Sequence, residues 1–347
     1  MNRARKLLFA CLPLLLLVLF AEIVLRVLGY RYDSYFQQAF WWTRLSAQPI
    51  YQRDPHLFWR LRPHANSDLN PEVRDTQSIN SRGFRDDEFD KKKPAGELRI
   101  ITLGDSCTFG DGVANWESYA NVLEELIAKA DPSRPVQVIN AGVPGYTSYQ
   151  VRRYLTGELL AYEPDAVIVY VGFNDNVPAT NGVTDAQRSV VDGTAYAFQE
   201  VLGKLRTYQL SKYFLLRIKN SLLPDVHPEA SNADGVQHHI FRVPEDEFME
   251  NLRAIKALGE REGFRTIVVT LPHKFDAEPE RNRLIRRAVE AGDIPVVDLF
   301  PIMKVHQEGG ESLYGSDGGH PNTLGHRRIA EALLDKLVAM AVVRSNP

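Results

Sequence analysis

The chain has 347 residues, 44% of them hydrophobic and 24% charged, a composition that fits a folded globular protein and excludes a disordered or collagen-like one. Lys plus Arg is 41 and Asp plus Glu is 44, a net charge of −3 that argues against a general nucleic-acid binder with a basic face. A mean hydropathy of −0.26 excludes a polytopic membrane protein, and Cys11 and Cys107 alone offer neither a disulfide scaffold nor a cysteine-based zinc cluster.

Arg3, Arg5 and Lys6 precede an unbroken apolar run from Leu7 to Ala21, which continues through Glu22 and Arg26 to Leu28. As a helix, Leu7–Leu28 is about 33 Å long, enough for a hydrocarbon core, so residues 1–29 read as an N-terminal transmembrane anchor. Glu22 and Arg26 stand at i and i+4 and can pair on one face. The positive flank keeps the N-terminus in the cytoplasm and exports the rest, which places the folded domain outside the cytoplasm (periplasmic in a bacterium). The rival reading is a cleaved signal peptide, with Val27-Leu28-Gly29 as the more tolerable cleavage site. Tyr30, Tyr32, Tyr35, Phe36, Phe40, Trp41 and Trp42 follow, suited either to a membrane interface or to packing on the globular domain.

Residues 30–95 form an aromatic, then proline-rich and irregular lead-in, extended and with short strands over 43–95. From 96 to 343 strand-like runs alternate with helical periodicity. The strands are Leu98–Leu103, Val136–Asn140, Ala166–Val171, Thr266–Leu271 and Pro295–Leu299. The helices are Trp116–Ala130, Ser148–Tyr162, Glu245–Glu262, Arg281–Ala291 and Thr323–Met340. This order predicts an α/β fold: a doubly wound, five-stranded parallel sheet with helices on both faces, a flavodoxin-like three-layer sandwich. Residues 176–244 interrupt the pattern. They hold a helix near Tyr208–Leu222 and a polar loop, and stand where a lid or substrate loop would be inserted.

Ligands of open α/β sheets sit at the carboxyl ends of the strands. The first strand ends in Gly104-Asp105-Ser106, the second in Asn140-Ala141-Gly142, and the third in Gly172-Phe173-Asn174-Asp175. Asp317-Gly318-Gly319-His320 precedes the last helix. These residues supply the parts of an acyl-transfer site. Ser106 is a nucleophile that needs a base, and His320 can accept its proton near neutral pH. Asp317 can hold the imidazole through a tight turn. The Ser106 and Gly142 amides and the Asn174 side chain are the candidate oxyanion donors.

In these blocks the chain resembles the SGNH (GDSL) hydrolase superfamily over about residues 98–342. Leu103-Gly-Asp-Ser106, Asn140-Ala-Gly142, Gly172-Phe-Asn-Asp175 and Asp317-Gly-Gly-His320 stand in the superfamily's order. One departure is Cys107, where the name motif has Leu. The resemblance implies the same roles for Ser106, His320, Asp317, Gly142 and Asn174. Asn80-Ser-Arg-Gly-Phe-Arg85 and the N-terminal anchor resemble membrane-tethered bacterial members.

Asp105 and Asp175 read as loop-holding carboxylates, His326 as a packing or surface residue and Cys107 as a small buried one. His273 reads as solvated or structural, and His238-His239 lack the company of a metal site. The expected function is a serine esterase that cleaves a short acyl ester of a carbohydrate or lipid, without cofactor or metal. Two alternatives remain: an O-acyltransferase acting on a cell-surface polysaccharide, and a catalytically idle carbohydrate-binding or assembly protein.

Overall fold

The computed structural model of the chain describes residues 3–32, 50–65, 78–179, 183–187, 201–222, 230–231, 237–238, 240–272, 280–291 and 294–344. In chain order the helices are α1 (Arg3–Val27), α2 (Ser106–Phe109), α3 (Tyr119–Ala130), α4 (Ser148–Gly157), α5 (Arg206–Leu222), α6 (Glu245–Glu262), α7 (Glu280–Glu290), α8 (Leu299–Glu308) and α9 (Thr323–Ala339). The strands are β1 (Tyr51–Asp54), β2 (Phe58–Leu61), β3 (Leu98–Gly104), β4 (Val136–Gly142), β5 (Ala166–Tyr170), β6 (Ala230–Ser231), β7 (Gln237–His238), β8 (Arg265–Val269) and β9 (Val296–Val297). Two compact units result: Met1–Ala47 with Ser189–His238, and Gln48–Arg188 with His239–Pro347.

The second unit is built on a five-stranded sheet in the order β4-β3-β5-β8-β9, with every neighbouring pair parallel. Side chains alternate across a strand, and both faces are buried. Leu98, Ile100, Ala166, Ile168 and Ile267 join Leu123, Ile127, Ile329, Leu333 and Leu337 in the core beneath α3 and α9. Ile101, Leu103, Val167 and Val169 are buried on the opposite face, where α4 and α6 pack together. The expected doubly wound parallel sheet is therefore present. Its strands are continuous apolar runs because helices cover both sides. The fifth strand is shorter than its apolar run: only Val296 and Val297 pair, as suits an edge strand. Helix α8 was not expected from periodicity. It starts at Leu299, with Pro301 in its first turn, where a missing N–H costs nothing.

The lead-in belongs partly to this unit. β1 and β2 form an antiparallel hairpin whose Trp59 is fully buried. Arg85 is buried as well, and donates to the carbonyls of Phe109, Gly110 and Val113 and to Asn115 Oδ1. The Asn80–Arg85 segment thus pins the loop that follows α2. Asn80 Oδ1 shapes its turn by accepting from the amides of Arg82 and Phe84, both at 3.0 Å.

In the first unit α1 packs against α5, the helix expected near Tyr208–Leu222. Glu22 accepts from the Arg206 amide at 3.0 Å and from the Thr207 amide and hydroxyl at 2.9 Å. It thereby satisfies N–H groups that the first turn of α5 leaves without helical partners. Arg26 donates to Glu22 at 2.8 Å, the i, i+4 pair expected from the sequence.

No helix among the described residues is long and apolar enough to cross a membrane, which corrects the expected transmembrane helix. The uncharged run Leu7–Ala21 gives only about 22 Å of helix against a core of ~30 Å. Beyond it, Glu22 is tied into protein contacts and only 8% exposed. Of the aromatic run after α1, Tyr35, Phe36, Phe40, Trp41 and Trp42 lie outside the described residues, as do His239 and His273.

Candidate active site

The nucleophile candidate stands where β3 turns into α2. A side chain on Gly104 would meet Thr108 Oγ1 and the Tyr170 carbonyl at 2.2 Å, so the glycine lets α2 fold back on the strand end. Asp105 caps α2 by accepting from the Cys107 amide at 3.0 Å, and Gly110 closes it with a left-handed φ of 86°. Ser106 is the first helical residue.

His320 Nε2 lies 2.8 Å from Ser106 Oγ, and His320 Nδ1 lies 2.5 Å from Asp317 Oδ2. The other oxygen of Asp317 accepts from the amides of Gly319 at 2.9 Å and His320 at 3.0 Å. Gly318 makes this turn possible with a φ of 70°. The Gly315 amide donates to the His320 carbonyl at 2.9 Å, and Asn322 caps α9 from the adjoining position. Ser106, His320 and Asp317 are thus joined in one hydrogen-bonded chain.

The electrostatics favour a basic imidazole. Hydrogen bonding from His320 is the main cause holding Asp317 far below the usual carboxylate range. Burial opposes the charged form of His320, but the Asp317 hydrogen bond and the carboxylates of Asp111, Asp317 and Asp105 outweigh it, so its pKa is raised. Burial pushes Asp105 up to about 6 against the bond from the Cys107 amide. Asp111, whose amide donates to the Ser106 carbonyl at 3.0 Å, escaped the sequence reading because no motif marks it.

The expected oxyanion donors need one correction. The Gly142 amide donates to Asn140 Oδ1 at 3.0 Å, and a Cβ at Gly142 would sit 2.2 Å from the Phe109 nitrogen. Gly142 is the place where α2 leans on the end of β4, and its N–H is already spent. The next glycine, Gly145, has a φ of 83°, and among the described residues its N–H has no acceptor. The Pro144-Gly145 turn signal was its only mark in the sequence.

Asn174 opens a short 3-10 turn and is buried. Its Nδ2 donates to Asp105 Oδ2 and to the Tyr146 carbonyl, each at 3.2 Å. The structure therefore brings Asn174 beside Asp105, next in sequence to Ser106, and beside the Gly145 turn.

Residues expected to be structural behave so. Asp175 accepts from the Ser148 hydroxyl at 2.6 Å and from its amide, holding the start of α4. His326 is fully buried, accepts from the Tyr119 amide at 3.1 Å and stacks on the Tyr119 ring. Cys107 is buried.

The chain is similar to several proteins of solved structure. An acetylxylan esterase from Geobacillus stearothermophilus is 17% identical with a TM-score of 0.46, covering 72% of this chain and 97% of that one. A lipase/acylhydrolase from Enterococcus faecalis is 19% identical with a TM-score of 0.43, covering 72% and 99%. An alpha/beta hydrolase from the metagenome of Lake Arreo, Spain, is 20% identical with a TM-score of 0.44, covering 70% and 94%. No curated protein sequence matches the chain. The GDSL-like Lipase/Acylhydrolase family matches residues 102–328, a span that begins in β3 just before Ser106 and ends beyond His320, and the chain belongs to that family.

Proposed function

We propose that the chain is a serine esterase that cleaves a short acyl ester of a carbohydrate or lipid through an acyl-enzyme. The observation that carries this reading is the unbroken Ser106–His320–Asp317 chain, with 2.8 Å and 2.5 Å contacts. Ser106 Oγ attacks the ester carbonyl while His320 Nε2 takes its proton. Asp317 holds the Nδ1–H and stabilises the imidazolium. The carbonyl oxygen becomes an oxyanion, received by the Ser106 and Gly145 amides and by Asn174. Both Asn174 protons already have acceptors, so it serves by exchanging a long 3.2 Å bond for a charge-assisted one. His320 then protonates the leaving alkoxide, and a water activated by the same imidazole releases the acid.

Incubating the protein with p-nitrophenyl acetate and with acetylated xylo-oligosaccharides, with and without a free polysaccharide acceptor, tests the reading. Free acid as the product supports hydrolysis. Acylated acceptor would move the reading to O-acyl transfer, and no turnover with no fluorophosphonate labelling of Ser106 would leave an idle domain.

We also propose that the catalytic unit is exported and stays attached to a membrane through α1. Support comes from the Arg3, Arg5 and Lys6 flank and from Leu14, Leu15, Leu17 and Phe20, each at least 60% exposed. A contiguous apolar surface of that kind is seldom left in water.

A further inference from the structure

We propose that Trp59 and Arg242 are positioning residues that aim the Gly145 amide at the oxyanion; this rests on the esterase reading above. Gly145 lies in a turn between β4 and α4, where no ladder fixes the direction of its N–H. The turn's own backbone supplies the bond from the Tyr146 amide to the Val143 carbonyl, 3.1 Å. An oxyanion donor contributes through preorganisation, so a peptide free to rotate would lose much of its effect.

The two jaws come from parts of the chain outside the motif blocks. Trp59, in the lead-in hairpin, donates from Nε1 to the Pro144 carbonyl at 3.1 Å. That carbonyl belongs to the same peptide unit as the Gly145 N–H. In a trans peptide the two point in opposite directions, so pinning the oxygen on Trp59 aims the hydrogen away from it. The indole bond also polarises the peptide and strengthens its N–H as a donor. The Tyr146 hydroxyl returns to the Trp59 carbonyl at 2.6 Å.

Arg242 holds the next peptide. Its Nη1 donates to the Gly145 carbonyl at 2.8 Å, and its Nη2 donates to Gln150 Oε1 at 2.9 Å and Asp185 Oδ2 at 2.8 Å. Asp185 is fully buried and also accepts from the Thr147 hydroxyl at 2.8 Å. The Arg242 guanidinium lies 5.6 Å from the Trp59 ring centroid, so the jaws meet. Arg242 and Asp185 both stand at the neck of the 176–244 segment, joined by the bond from the Asp185 amide to the Arg242 carbonyl, 2.8 Å. The fork geometry matters, because a lysine ammonium cannot engage three acceptors on separate elements as the planar guanidinium does.

The test is Trp59→Phe and Arg242→Lys, which keep the ring and the charge and so avoid the buried unpaired Asp185 that Arg242→Ala would leave. Active sites are titrated with a fluorophosphonate, and kcat and KM for p-nitrophenyl acetate are measured per titrated site. Each variant is expected to lose about tenfold or more in kcat, with KM within about twofold, because the contact is made in the transition state. The acid limb of the pH profile should not move, since His320 and Asp317 are untouched. A reactive wild type whose variants match it in kcat per site, with only the melting temperature lowered, overturns the clamp and leaves the esterase reading standing. A wild type that does not react with the fluorophosphonate overturns the esterase reading, and the clamp with it.

Discussion

Ser106→Ala should abolish turnover and leave the melting temperature almost unchanged. The hydroxyl sits half-buried at the start of a helix whose cap is Asp105, so its removal breaks the contact to His320 and little else. Residual activity above about one part in a hundred, in pure protein, would remove Ser106 from its role. The pH profile follows from His320. Its pKa is raised above the ordinary ~6.5, and the base works only when neutral, so activity should fall as the pH drops through a value above ~6.5. Asp317→Asn removes the main partner that favours the imidazolium, so the acid limb should move to lower pH while the maximum rate falls. An unshifted limb would hand that role to Asp111. Asn174→Ala should lower kcat by about 10²–10³-fold with KM little changed, if its NH₂ receives the oxyanion. Ser106 could be read from the sequence because its block ends a strand, and His320 and Asp317 because their block stands just before the last helix. Gly145 could not, because the Asn140-Ala-Gly142 block offers an earlier glycine. Only the bond from Gly142 to Asn140 shows that the earlier amide is taken.

Between α3 and α9 the packing carries its own pH signature. Burial pushes His326 down to about 3, so the folded protein keeps it neutral while the unfolded chain protonates it near ~6.5. The unfolded state therefore binds the extra proton between these values, and stability should fall as the pH drops from ~6.5 toward about 3. His326→Asn should flatten that part of the dependence, whatever it costs in absolute stability. Urea unfolding of both proteins at pH 7 and pH 4 measures it, and parallel losses in the two would refute the assignment. In the same interface Leu333→Ala should cost ~2–5 kcal/mol, since Leu333 is fully buried. The sheet and its covering helices were legible because short continuous apolar runs mark strands buried on both faces and a four-residue recurrence such as Ile329, Leu333 and Leu337 marks a helix. Helix α8 was not: Pro301 near its start reads as a breaker until its place in the first turn is known. Short strands were expected in the lead-in, but the hairpin β1–β2 could not be placed, because four-residue strands among prolines carry no measurable period.

For the whole molecule, the proposal of export and membrane attachment predicts that a reporter fused after Pro347 is active only if it works outside the cytoplasm. The protein should sediment with membranes and keep its N-terminus, and a mature chain beginning at Tyr30 would replace attachment by a cleaved leader. The apolar run and its basic flank were plain in the sequence, but its length misled. Adding Glu22–Leu28 to the run took the pairing of Glu22 with Arg26 as enough to carry both charges, whereas Glu22 also caps a helix that starts far along the chain. No spacing rule links residue 22 to residue 206.

That separation has a consequence for how the protein is made. Glu22 and Arg206 are 184 positions apart in the chain. At ~5–20 residues per second, the ribosome takes roughly ten to forty seconds to supply the partner after Glu22 has emerged. The sheet strands β3, β4 and β5 are synthesised in that interval and can begin to pair. Throughout it the carboxylate that will cap α5 has no helix to cap, and Glu22 has only Arg26 for company. Helix α1 thus acquires its neighbour long after it is made, and the contact at Glu22 forms only once most of the sheet has been synthesised.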